Sequence, residues 1–241
     1  MKKPIINYVW MQFEKGRIQP LPSHLFYNVQ QNAKRYPARK FIVWVQDSAA
    51  IGPYHIPENV EIRTLDSIRG FSDMPVMKLN GEEYGWAKVD TARLLVIRHI
   101  LENENCAAIY SDMDVPDVRV DASPLHLRLR KYGIAIGASF KGASFKGAKP
   151  SRKNIGKSSE NGYIAFTNGT KDLLDLTIDA CGQISDYGAR LAVCDKQFEV
   201  ISMWADAKGI ANWQKCIASF PVLPPGGYIN TKPKAQLRLA A

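Results

Sequence analysis

No apolar run in this sequence approaches the roughly 20 residues that a membrane-spanning helix needs. The Leu94–Ile97 stretch, among the longest, is closed at both ends by Arg93 and Arg98. No transmembrane segment is therefore expected. The chain opens with Lys2 and Lys3, but Asn7, Gln12 and Glu14 interrupt any signal-peptide apolar region. The expected location is the cytoplasm, or the outside by a route that needs no standard signal. The cysteines at 106, 181, 194 and 216 form no Cys-x-x-Cys pair. That excludes a zinc ribbon and a thioredoxin-type motif and leaves buried free thiols as the expectation. His24, His55, His99 and His126 lack metal-ligand spacing. No repeat of about 20–50 residues is visible, which excludes a solenoid.

What is present suits a globular enzyme or binding module. At 241 residues, 46% apolar and 23% charged, the chain can bury a core without staples. Its net charge of +9 favours anionic partners: nucleic acid, acidic membranes or phosphorylated substrates. Charge alone does not choose among them.

Residues 5–10 read as a strand, Ser23 as the N-cap of a helix to about Arg35, Lys40–Gln46 as a strong strand and Val60–Thr64 as a third. That order predicts an α/β fold with a mixed, mostly parallel central sheet flanked by helices. Glu82–Glu104 is the longest helical pattern, followed by a buried strand over Cys106–Tyr110. Further strands are expected at 132–136 and 162–167. Helices are expected from Thr170 to about Ile184, at 188–204 and at 205–217. Residues 137–159 hold Gly-Ala-Ser-Phe-Lys twice in tandem and six basic residues with no acid, and read as a basic loop. A single domain over 1–241 is expected, with halves over about 1–120 and about 121–241.

Two phosphate-loop patterns fall short. Gly156-Lys157-Ser158 lacks the leading glycine, where Ser151 stands, and the stretch from Gly142 ends Gly147-Ala148-Lys149. Neither opens a clear helix, as a phosphate cradle requires. Residues 137–142 miss a Gly-x-Ser-x-Gly elbow by one position.

The informative element is Asp112-Met113-Asp114 after a buried strand. Such a pair lies at the carboxyl edge of the sheet, where α/β folds collect ligands. If the strand continues, both side chains share one face. Two hard oxygen ligands there can hold Mn²⁺ or Mg²⁺ while a diphosphate completes the shell. An acidic solvated turn would show the same letters. The preceding helix adds Asp90-x-x-Arg93.

The segment from Lys88 to Val115 resembles the sugar-nucleotide region of GT-A fold glycosyltransferases with a DXD motif. These include clostridial glucosylating toxins, initiating mannosyltransferases and effectors that attach N-acetylglucosamine to arginine. The resemblance implies that Asp90 and Arg93 contact donor sugar or diphosphate and that Asp112 and Asp114 carry ribose and metal contacts. Residues 4–10 resemble the family's opening strand, which makes Trp10 the candidate for stacking on uracil; a core anchor is the other reading. Residues 159–166 resemble the effectors' Glu-Asn-Gly strand, which makes Glu160 a candidate catalytic residue and Asn161 a donor-site residue. Asn230, in the Gly226–Thr231 stretch, matches the region that supplies a third metal ligand. The sequence departs from the pattern where the effectors have a histidine, since Ile136 and Gly137 stand there, and it lacks their C-terminal Ser/Trp lid. The function implied is metal-dependent transfer from a nucleotide sugar, with UDP-sugars expected, to a protein or glycan. The alternative is a non-catalytic basic module for a polyanion. No nucleic-acid motif supports it, and aromatics do not interleave with the basic run.

Overall fold

The computed structural model describes residues 2–11, 19–74, 78–79, 82–83, 85–138, 159–184 and 192–218. Strands β1 (Ile5–Trp10), β2 (Phe41–Val45) and β3 (Val60–Thr64) are joined by helix α1 (Ser23–Arg35) and by loops. A short antiparallel pair, β4 (Lys78–Leu79) and β5 (Glu82–Glu83), precedes the long helix α2 (Gly85–Glu104). Then come β6 (Ala108–Ser111), α3 (Ser123–Tyr132), β7 (Ile134–Ala138), β8 (Ser159–Phe166), α4 (Lys171–Gly182), α5 (Ala192–Ala207) and the single turn α6 (Trp213–Cys216).

The six long strands form one sheet in the order β3-β2-β1-β6-β8-β7. Strands β3, β2, β1 and β6 are mutually parallel, and β8 runs antiparallel to both β6 and β7. The expected mixed, mostly parallel α/β sheet is present. Both faces are covered, so the central strands read as unbroken apolar runs such as Phe41–Val45, buried at every position. Alternate residues serve two cores. Val9, Trp44, Tyr110 and Ile164 pack under α2, α4 and α5. Tyr8, Val43, Ile109 and Tyr163 pack on the other face with Phe26 and Val29 of α1 and Leu125 and Leu129 of α3. One buried polar residue, Asn7, ties three central strands together. Its amide donates to the Ile109 carbonyl at 3.2 Å, and its oxygen accepts from the Trp44 indole at 3.0 Å.

The chain leaves β1 toward β2 and β3 on one side and returns to β6 on the other. The reversal leaves a crevice outside the carboxyl ends of β1 and β6, the usual ligand position in such sheets.

Several local readings need correction. Pro22, not Ser23, is the N-cap of α1; Thr170 does stand at the N-cap of α4, but its side chain makes no cap bond. Instead the Thr170 hydroxyl donates to the Gly133 carbonyl at 2.8 Å. The α2 helix starts at Gly85 because residues 82–83 pair as β5. Helix α3 was not apparent from the sequence. The stretch expected to be helical over 205–217 breaks at Gly209, which takes φ +67° and ends α5, leaving only α6 beyond it. Cys106, Cys181 and Cys194 are buried free thiols, and burial pushes Cys181 up to about 12. That agrees with an inert, structural role.

Candidate active site

Trp10 ends β1 and Asp112 follows β6, so neighbouring parallel strands deliver both residues to the crevice. A cavity of about 440 Å³ opens there, a size suited to a small organic ligand. Its wall is mostly apolar near β1, with Val9, Trp10 and Met11, and polar toward α2 and β6, with Arg93, Asp112 and Asp114. Gln19, His24 and Leu25 close it from the side of α1.

Arg93 is the hub. It is only 8% exposed, yet it carries a full charge, so its partners must compensate for lost water. Its Nη1 lies 2.9 Å from Asp90 Oδ1, one helical turn away, and donates to Asn161 Oδ1 at 2.7 Å. Its Nη2 lies 2.9 Å from Asp112 Oδ1. Asn161 closes the ring by donating to Asp90 Oδ1 at 3.1 Å. The guanidinium also sits over the Tyr110 ring, 4.9 Å from its centroid, and the Tyr110 hydroxyl donates to Asp112 at 2.6 Å. Helix α2, β6 and β8 each contribute at least one member. Residues far apart in sequence meet because β6 and β8 are adjacent and α2 packs across both.

Burial is the main influence on Asp90 and raises its pKa; the Arg93 charge and the Asn161 bond pull it back down. Burial likewise pushes the Tyr110 phenol well above its ordinary range, so it stays protonated and donates.

Strand alternation does not aim the paired aspartates. β6 ends at Ser111, and the Asp112 N–H makes one last sheet bond to Gly162 at 2.7 Å. The Val115 N–H then returns to the Asp112 carbonyl at 3.2 Å, so residues 112–115 form a turn that places both carboxylates on the cavity wall. Helix α1 holds this turn. Asn28 donates to the Met113 carbonyl at 3.0 Å, Asn32 to the Val115 carbonyl at 3.2 Å, and Arg35 to the Pro116 carbonyl at 3.1 Å. The Asn32 oxygen also accepts from the Val118 N–H at 3.2 Å.

Of the residues nominated from sequence, the structure brings Asp90, Arg93, Asp112 and Asn161 into one bonded cluster. Trp10 and Asp114 share the adjoining cavity. Trp10 is half-buried and its indole N–H is held by the Gln19 carbonyl at 3.1 Å, so it walls the cavity and also packs on the core. Asp90 and Asn161 stand behind Arg93. Glu160 lies on β8 opposite Gly137; its side chain is outside the described residues. Asn230 and the basic segment 139–158 are outside them as well. Tyr110, His24, Asn28 and Asn32 escaped the sequence reading. Only Tyr110 offered a signal, as an aromatic near the end of the strand that leads into Asp112.

The chain matches no known protein-family description and no curated protein sequence. Solved structures do resemble it. A cysteine-to-serine double mutant of a transferase superposes with TM-score 0.50 and 12% identity, over 93% of each chain. The chain shares its fold with that transferase. More distant likenesses are 4-diphosphocytidyl-2C-methyl-D-erythritol synthase from Anaerococcus prevotii and the PaToxG glycosyltransferase. The synthase has TM-score 0.42 and 11% identity, over 83% of this chain and 84% of that one. The glycosyltransferase has TM-score 0.39 and 12% identity, over 96% and 83%. Among the described residues no helix is long and apolar enough to cross a membrane.

Proposed function

We propose that this chain is a glycosyltransferase that takes a sugar from a nucleotide-sugar donor, with UDP-sugars expected, and passes it to a protein or glycan acceptor. One observation carries the reading: Arg93 ties Asp90, Asp112 and Asn161 into a single cluster on the wall of a cavity at the sheet's switch point.

In this reading Trp10 and its apolar neighbours receive the base. Arg93 meets the diphosphate or sugar, held in aim by Asp90 and Asn161. Glu160, one residue before Asn161, is the candidate catalytic carboxylate. Asp112 and Asp114 would hold Mn²⁺ or Mg²⁺, with Asn230 as a further ligand. The donor set fits such an ion. Both aspartates wall the same cavity, and among the described residues no cluster of three or more acidic, His or Cys ligands exists. Two carboxylates suit a cation that completes its shell with substrate oxygens better than one held in a closed protein cage. When bound, such a cation neutralises charge on the departing diphosphate. The half from about 121 onward would face the acceptor.

The test is a panel of nucleotide sugars incubated with the protein and Mn²⁺, read as donor hydrolysis and as nucleotide binding. Turnover of one donor that is lost in Arg93→Ala supports the reading. No turnover and no metal-dependent nucleotide binding overturns it. Salt-sensitive oligonucleotide binding that ignores Arg93 would favour a basic polyanion-binding module instead.

A further inference from the structure

The side-chain hydrogen-bond donors on the cavity wall can be taken in turn. The Trp10 indole N–H is held by the Gln19 carbonyl. The Tyr110 hydroxyl is held by Asp112. The Arg93 guanidinium is engaged by Asp90, Asp112 and Asn161. Gln19 has an interaction of its own. His24 is different: it is half-buried, it lines the cavity, and among the described residues its imidazole has no hydrogen bond or ion pair.

Its position is fixed. His24, Asn28 and Asn32 follow one another at four-residue steps, so they form one stripe along α1. Asn28 and Asn32 pin that stripe against the turn that carries the aspartates. His24 continues the stripe one helical turn beyond the Asn28 contact with Met113, and there it reaches the cavity. His24 thus shares a cavity wall with Arg93, Asp112 and Asp114, and among the described residues its imidazole has no acceptor.

We propose that His24 is a donor-contacting residue whose imidazole hydrogen-bonds the diphosphate of a nucleoside diphosphate ligand. The diphosphate is favoured over the base because the stripe leads to the carboxylate turn, whereas the apolar wall for a base is formed by Val9, Trp10 and Met11. This contact rests on the nucleotide-sugar reading above and adds a residue to it. A hydrogen bond to a charged phosphoryl oxygen is worth roughly a factor of ten or more in affinity.

Calorimetric titration with UDP, GDP and ADP, and with the matching nucleosides, in the presence of Mn²⁺ tests it. For whichever diphosphate the unaltered protein binds, His24→Ala should weaken binding about tenfold and leave nucleoside binding within about twofold. His24→Gln, which keeps an N–H donor, should recover most of the loss. Equal affinity in His24→Ala and the unaltered protein overturns the proposal and leaves the function standing. Equal weakening of diphosphate and nucleoside overturns the diphosphate contact. If the unaltered protein binds no nucleoside diphosphate, the glycosyltransferase reading falls, and this contact falls with it.

Discussion

Replacing Arg93 by Met tests how the site is held together. Methionine keeps much of the side-chain length and removes the charge. The structure sets the size of the effect. The Arg93 side chain is 9% exposed and its carboxylate partners are unequally so: the Asp90 side chain is 13% exposed and that of Asp112 24%. Breaking a buried pair from one side costs about 3–5 kcal/mol, chiefly through the charge left behind. Asp112 can recover some water from the cavity, so the low end applies, about 3 kcal/mol near neutral pH. For a chain of this length that is a fall in melting temperature of roughly 6–12 °C.

The pH dependence makes the prediction specific. Burial raises the folded-state pKa of Asp90 above its ordinary 3.8, and Arg93 opposes that rise. A raised carboxyl binds its proton more tightly in the folded state. Its contribution is therefore fully present below the ordinary pKa and is lost as pH rises through the folded value. Without Arg93 the folded value climbs further, so the variant loses more stability over the same rise in pH. Urea unfolding at pH 5 and pH 8 should show the gap between the two proteins widening at pH 8. Adding Asp90→Asn should restore at least about 1 kcal/mol, because the stranded charge is gone. A gap under about 1 kcal/mol, or one that is equal at both pH values, would refute the idea that Arg93 compensates a buried acid.

Three further outcomes are expected. Asp114→Ala and Asp112→Ala should keep the fold and lower sugar transfer by at least about a hundredfold in a Mn²⁺-dependent assay, while Asp66→Ala, at an exposed position, should not. Asn32→Ala removes a fully buried side chain that bonds both Val115 and Val118, so it should cost about 1–3 kcal/mol in urea unfolding and weaken Mn²⁺ binding measured by electron paramagnetic resonance. The hydrogen bonds from Arg63 and Lys40 hold Glu61 down at about 2, so its contribution is present above the ordinary 4.5 and disappears as pH falls toward 2; Glu61→Gln should flatten that acid limb of a stability profile.

What the sequence revealed follows from which interactions are local. Phe41–Val45 is read as a strand because every residue in it is β-branched or aromatic and both faces are covered. Arg93 and Asp90 lie one turn apart on a helix, so their pairing could be anticipated. Helix α3 was missed because only Leu125 and Leu129 of its ten residues are buried, too few to give a clear period. Strand β8 begins at Ser159, before its apolar run, because β7 pairs there, with Gly137 opposite Glu160 and an irregularity between Ile136 and Gly137. No local pattern reveals a distant pairing partner. The same holds for Asn28 and Asn32, which look like ordinary helix-surface amides until α1 is laid along residues 113–118. Asn161 could be nominated by resemblance, but its bond to Arg93 depends on β6 and β8 lying side by side.

The charge count at the site bears on the metal. Among the described residues Arg93 pairs with both Asp90 and Asp112, and Asp114 walls the same cavity. A nucleoside diphosphate adds roughly two or more further negative charges, and like charges a few ångströms apart in a half-buried cavity repel by several kcal/mol. Under the proposed function such a ligand would arrive with a cation, or Arg93 would release an aspartate to meet it. These routes differ in a measurable way. Entry with a cation makes nucleotide binding collapse on chelation with EDTA and return with Mn²⁺. Release of Asp112 by Arg93 leaves binding insensitive to EDTA, and Asp112→Asn would then tighten it. Chelation of the protein during nucleotide titration therefore decides whether the paired aspartates act as metal ligands or only as the resting partners of Arg93.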